Sequence, residues 1–225
     1  MKQIEGFEVD HNKVLKLLKA LYGLKESLAL WQQTLHEYMY EMGFTPSPAD
    51  PCLFTWKDVV IAIWVDDMLL SALTEEELDM VYDLLSKKFN IQNLGQPKKF
   101  VGIAIDRNTD KKTLSLSQEH YLRTLLTRFN KETVKLRSTP MDTSKKLQKQ
   151  ENNICTDKEK TLYASWVGAL MWAALCTRFD MAFAVAKLAR YSSNPDDTHF
   201  EALDWLFGYI RKTISHELMY EASED

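Results

Sequence analysis

Asp66 and Asp67 are the residues of this chain best placed to do chemistry. They stand side by side between the run Val59-Val60-Ile61-Ala62-Ile63-Trp64-Val65 and the run Met68-Leu69-Leu70. The β-branched lead-in and the apolar exit both favour strand, which puts the aspartates at a tight hairpin turn. Aspartate has a plain reason to sit there, because its side chain caps local amides. Two adjacent carboxylates flanked by buried strands also repel each other and lose hydration, so a cation should compensate. Hard carboxylate oxygens suit Mg²⁺. On these residues alone, a capped turn and a metal-binding pair both stand.

The elements that would position the aspartates are legible on either side. Residues 12–42 read as two helices: Val14, Leu15, Leu17, Leu18 and Leu21 give the first apolar face, and Tyr22-Gly23-Leu24 interrupts it. Leu28, Trp31, Leu35, Tyr38, Met39 and Met42 give the second, with core packing the reading of its aromatics. Gly43 is a C-cap candidate, and Pro46, Pro48 and Pro51 mark a loop. Strands follow over Leu53–Lys57, Val59–Val65 and Met68–Ala72. Thr74 opens a helix with Glu77 three residues on, a capping box, and Glu75 and Glu76 suit a positive helix start. Phe100–Asp106 and Thr113–Ser117 form a second hairpin around the polar turn Arg107-Asn108-Thr109-Asp110, and Ser117 caps a helix running to about Phe129. Residues 130–160 read as a surface linker, polar and with a single proline, Pro140. Beyond it, residues 160–176, 178–192 and 197–213 read as three amphipathic helices.

Bulk properties bound the rest. A chain of 225 residues with 45% hydrophobic content can bury one large core or two smaller ones. A net charge of −4 and a pI near 5.8 sit poorly with a protein that grips nucleic acid, since phosphate binding needs concentrated Lys and Arg. The paired lysines (87–88, 98–99, 111–112, 145–146) read as solvated surface. Cys52, Cys155 and Cys176 carry no zinc spacing and read as free thiols in a reducing compartment. No apolar run approaches membrane length. The expectation is an intracellular protein, of cytoplasm or nucleus, with no membrane partner.

Seven ordered segments resemble the copia-type retrotransposon reverse transcriptases. The aspartate hairpin resembles their YVDD box, with Trp64 in place of tyrosine. Met1-Lys2-Gln3-Ile4-Glu5-Gly6-Phe7 is similar to "MKQPEGF", and Leu18 to Lys25 to "LxKALYGLKQ". Gly43-Phe44 through Phe54 follows "GFxxSxxDxxLF". Leu94-Gly95 with Phe100 to Ile103 resembles "LGxxxxFLGI", and Leu116 to Tyr121 resembles "LSQxxY". Tyr163 to Val185 resembles "YRxxVGxLxYLxxxTRPDIxxAV". Single segments are weak; seven in order across nearly the whole chain are specific.

The resemblance implies an α+β fold: a truncated reverse-transcriptase palm, an antiparallel sheet with packed helices, followed by a small helical thumb or connection domain. Its divisions would be a partial palm and the start of the thumb at 1–130, a polar linker at 131–160, and helical thumb or connection at 161–225. It implies nucleotidyl transfer by two metal ions, with Mg²⁺ held by Asp66, Asp67 and a third aspartate. Tyr22, Gly23, Lys25 and Trp64 would lie near substrate and template, and Phe100 and Gly102 would be primer-grip-like. In the family the third aspartate lies upstream of the segment matched by residues 1–7. The family's "LKQAPRxW" is here Leu24-Lys25-Glu26-Ser27-Leu28-Ala29-Leu30-Trp31, which loses a cation and gains a carboxylate. "TRPD" is Thr177-Arg178-Phe179-Asp180, a change that reads as structural. The expectation is therefore a catalytically incomplete chain, acting as a structural or protein-binding component. The sheet edge such a truncation uncovers favours a protein partner or self-association. Two alternatives stand beside it: an RNA-directed DNA polymerase using Mg²⁺, completed by N-terminal sequence or another chain, and a non-catalytic module binding RNA or DNA, which the net charge disfavours.

Overall fold

The structure is a computed structural model that describes residues 2–3, 5–7, 9–10, 12–21, 23–150 and 155–222. The chain gathers into two compact units, Met1–Gly95 and Gln96–Asp225. Among the described residues there are six α-helices and two four-stranded antiparallel sheets, an α+β fold.

In the first unit, α1 (Ser27–Glu41) leads to β1 (Thr45–Pro46), β2 (Leu53–Trp56), β3 (Val59–Trp64) and β4 (Asp67–Ser71), and α2 (Glu75–Lys88) closes it. The sheet is a meander in the order β1-β2-β3-β4. Alternation along β3 sends Val59, Ile61 and Ile63 inward, where they join Leu35 and Met39 of α1, Phe54 of β2, and Val81 and Leu85 of α2. The first helix expected from residue 12 onward does not form; these residues are turns and irregular backbone. Val14 and Leu18 are 75% and 92% exposed, so the apolar face has nothing to pack on, and a helix that short is marginal without packing. Helix α1 ends as its sequence implies. Gly43 takes φ 88°, its N–H donates to Tyr40 O, and the Phe44 N–H reaches back to Met39 O, which is a Schellman ending. The Thr74–Glu77 capping box is present in both directions at the start of α2.

The second unit begins with β5 (Lys99–Phe100), β6 (Ile103–Asn108) and β7 (Thr113–Ser117), followed by α3 (Glu119–Arg128). Strand β6 runs through Arg107 and Asn108, so the turn expected at 107–110 lies two residues later, where the Asn108 side chain takes the Lys111 N–H. Ser117 ends β7, and its hydroxyl accepts the Glu119 N–H while Gln118 holds the cap position. Three helices follow: α4 (Asp157–Cys176), α5 (Ala182–Ala189) after a 3₁₀ turn at Phe179–Met181, and α6 (Asp197–Lys212). Helix α4 starts three residues before the expected 160, inside the stretch read as linker, on a second capping box, Thr156 with Glu159. Strand β8 (Leu218–Glu221), which the sequence reading did not expect, pairs with β7, so the C-terminal region is not purely helical.

Residues 131–139 lie along α6 rather than free of it. Trp205 Nε1 donates to Thr139 O, Arg211 to Val134 O, and the Arg137 N–H to Gly208 O. Lys131 stands over the Trp166 ring and Arg137 over that of Trp205. Beneath them Tyr163, Leu170, Met181, Leu188, Leu203 and Phe207 form a buried core with Leu122 of α3. The Thr177-Arg178-Phe179-Asp180 segment does structural work in this unit. Arg178 is 1% exposed, forks onto both Asp180 oxygens at 2.9 and 2.8 Å, and donates to the Thr213 carbonyl and hydroxyl.

Candidate metal-binding hairpin

The two aspartates sit where two strands leave no room for a longer loop. Register Trp64↔Asp67 closes the β3–β4 ladder, leaving a two-residue loop, Val65-Asp66. Val65 has φ 58°, and Asp66 is absent from the positive-φ region, the pattern of a type II′ turn. Such a turn calls for glycine at its first position; a β-branched valine there is strained by about 1–2 kcal/mol. Strain of this kind persists only where the surroundings over-determine it. Here Trp31 of α1 does so, its indole N–H donating to Val65 O at 2.6 Å. The indole is in turn set edge-on to Phe89, the C-cap of α2, at 5.3 Å.

Asp66 and Asp67 are both exposed at this apex. The desolvation expected of a pair flanked by buried strands therefore does not arise within this unit. Among the described residues neither aspartate forms an ion pair. Their donor set, two hard carboxylates at a fixed turn, fits part of a Mg²⁺ shell. Among the described residues no group of three or more His, Cys, Asp or Glu is arranged to hold a metal ion.

The other expected site residues distribute as follows. Trp64 closes β3 directly beside the loop and is 55% exposed. Gly23 and Lys25 lie in the turns that lead into α1, exposed, with Leu24 and Ser27 N–H groups donating to Leu21 O and Leu24 O. Tyr22 lies outside the described residues. Phe100 and Gly102 belong to the second unit. Phe100 ends β5, pairs with Ile103, and the loop Val101-Gly102 has positive φ at both positions, a type I′ hairpin. The sequence reading missed the Trp31–Val65 contact because Trp31 falls on a helical apolar stripe. The one signal for it was that Trp31 ends the "LKQAPRxW"-like box.

The chain belongs to the reverse transcriptase (RNA-dependent DNA polymerase) family, which matches residues 1–143. It is 34% identical over 235 aligned positions to the retrovirus-related Pol polyprotein from transposon TNT 1-94 of Nicotiana tabacum, covering 100% of this chain and 18% of that protein. It is 35% identical to the Pol polyprotein from transposon RE1 of Arabidopsis thaliana, over 96% of this chain and 15% of the relative. A putative transposon Ty5-1 protein of Saccharomyces cerevisiae is 29% identical over 99% of this chain and 73% of its own length. The chain thus spans less than a fifth of the plant polyproteins it matches, which are of the copia type. No solved structure matches it.

Proposed function

We propose that this reverse-transcriptase segment does not polymerise by itself and acts as a structural, protein-binding component. In this reading the Asp66–Asp67 hairpin is two-thirds of a divalent-metal site, set in a palm-like unit. The observation that carries the reading is the donor count at the apex: two exposed carboxylates, with no third acid grouped with them among the described residues. When bound, a pair of divalent cations supplies activation of a primer 3′-hydroxyl and charge stabilisation of the leaving pyrophosphate. The chain's own residues do less: Asp66 and Asp67 offer oxygens at a fixed turn, and Trp64 offers an exposed ring beside them. Missing one acidic arm, the site cannot hold the reacting geometry, and a misplacement of about 1 Å costs on the order of a hundredfold.

Strand β4 supports the protein-binding half of the reading. It is an edge of its sheet, and Asp67 is its first residue. An open edge presents unpaired backbone groups to an incoming strand. A strand added there would run beside Asp67, which favours the second reading: a polymerase completed in trans by a partner strand that brings the third carboxylate.

Primer extension with Mg²⁺ or Mn²⁺ tests both. The 225-residue chain alone should incorporate nothing on a primed RNA or DNA template. Incorporation by the chain alone, abolished in the Asp66→Asn, Asp67→Asn double variant, would overturn the first reading. Incorporation only after addition of a separately made copia-type segment carrying an upstream palm aspartate, again lost in the double variant, would establish the second.

A further inference from the structure

We infer that Trp31 is a positioning residue for the Asp66 and Asp67 carboxylates, acting through the backbone of Val65. The inference rests on the reading of this hairpin as a metal-binding turn. In a two-residue loop the peptide between the loop residues stands outside the ladder, so its carbonyl has no strand partner. Rotating that peptide converts a type II′ turn into a type I′ turn, in which the second loop residue also takes positive φ. Here the second loop residue is Asp66, and such a flip would re-aim its side chain. The Val65 carbonyl belongs to that peptide, and the Trp31 indole N–H holds it at 2.6 Å across 34 residues of sequence. Trp31 thereby selects the turn in which Asp66 keeps negative φ and Val65 alone bears the bend.

The clamp is itself braced. Phe89 meets the Trp31 ring edge-on, and the Tyr38 ring meets Phe89 at 5.5 Å. The Tyr38 hydroxyl donates to Leu84 O at 2.7 Å, tying the aromatic row to α2. Indole orientation is therefore set by two helices, and turn geometry is set by the indole.

Amide exchange on the full ¹⁵N-labelled chain tests this, with Trp31→Phe removing the N–H while keeping a ring against Phe89. The amides of Trp64, Asp67 and Leu69, held by the β3–β4 ladder nearest the loop, should exchange about three- to tenfold faster, the worth of one hydrogen bond, with Thr55 and Val60 unchanged. In a Val65→Gly background, where the residue itself prefers the bend, the same substitution should change those rates less than about twofold. In the wild-type chain the Trp31 indole N–H should exchange more slowly than that of exposed Trp64, a readout that needs no variant to fold. Equal exchange of the two indoles, unchanged hairpin amides, or uniform acceleration throughout Met1–Gly95 would each overturn the inference. In a completed polymerase, Trp31→Phe should lower kcat about tenfold and leave the nucleotide KM in place, whereas a change in KM alone counts against it. A wild-type assembly that extends no primer would sink the reading of a polymerase completed in trans, while the exchange data would still decide whether Trp31 holds the turn.

Discussion

Gly208, in the middle of α6, lies so close to Lys135 that a Cβ built on it would stand 2.1 Å from the Lys135 carbonyl oxygen. The same glycine accepts the Arg137 N–H on its own carbonyl, at 3.2 Å. A glycine inside a helix ordinarily costs about 1 kcal/mol against alanine. Here the contact reverses the sign. Gly208→Ala should destabilise the second unit by about 1–3 kcal/mol as the 131–139 segment is pushed off the helix. Urea unfolding followed by tryptophan fluorescence reads this, and a stabilised variant would show that the segment is not held there.

The Arg178–Asp180 fork gives a pH-dependent prediction. Burial alone would raise the Asp180 carboxyl, but hydrogen bonds from Arg178 and Tyr209, with the guanidinium charge, hold it below the usual carboxylate range. A depressed carboxylate stabilises the fold fully above its unfolded value, near 3.9, and loses that stabilisation as pH falls through the folded value. Asp180→Asn should therefore cost about 1–3 kcal/mol at pH 7, because it strands a buried guanidinium. The difference from wild type should shrink below about pH 4. A gap that stays constant down to acid pH would assign the loss to shape rather than charge.

His199 works the other way round from a surface histidine. It is fully buried, stacked on Tyr191 at 4.1 Å, and its Nδ1 accepts the Asp196 N–H in a third capping box. Burial pushes its pKa down, against the pull of Asp196. A lowered imidazole keeps the fold at full stability above about pH 6.5 and erodes it as pH falls toward the folded value. His199→Gln keeps an acceptor for the cap and cannot titrate. Its urea midpoint should be flatter than wild type between about pH 6.5 and 5. An equal slope in both proteins would move the acid sensitivity elsewhere.

At the hairpin itself, Val65→Gly should stabilise the first unit by roughly 0.5–1 kcal/mol, the left-handed penalty relieved less the entropy glycine loses. Loss of stability would mean that the valine side chain packs more than it strains.

Local signals in the sequence were read well where neighbours along the chain settle the structure. The Thr74–Glu77 box, the Gly43 ending and the three strands of the meander all depend on residues within a few positions of one another. The Thr156–Glu159 box is just as local, but it sits in a polar stretch whose composition masked it. The helix expected over Val14–Leu21 had the right period and no partner surface, and period alone does not form a helix. Strand β8 was invisible because its pairing partner, Thr113–Leu116, lies about a hundred residues earlier in the chain. At the candidate site the sequence exposed the two aspartates and their turn. It did not expose the strain at Val65 or the indole that holds it, because both are facts of backbone angle and contact.

The bend at residue 65 also has a genetic side. Every valine codon is a single base change from a glycine codon, so the relaxed loop is one transversion away. Degenerate genomic copies of such an element, once they no longer need a tightly aimed loop, can slide downhill at this codon without unfolding. A tally of glycine against valine there, in copies with and without stop codons, would record whether the kink has been kept for use or merely inherited.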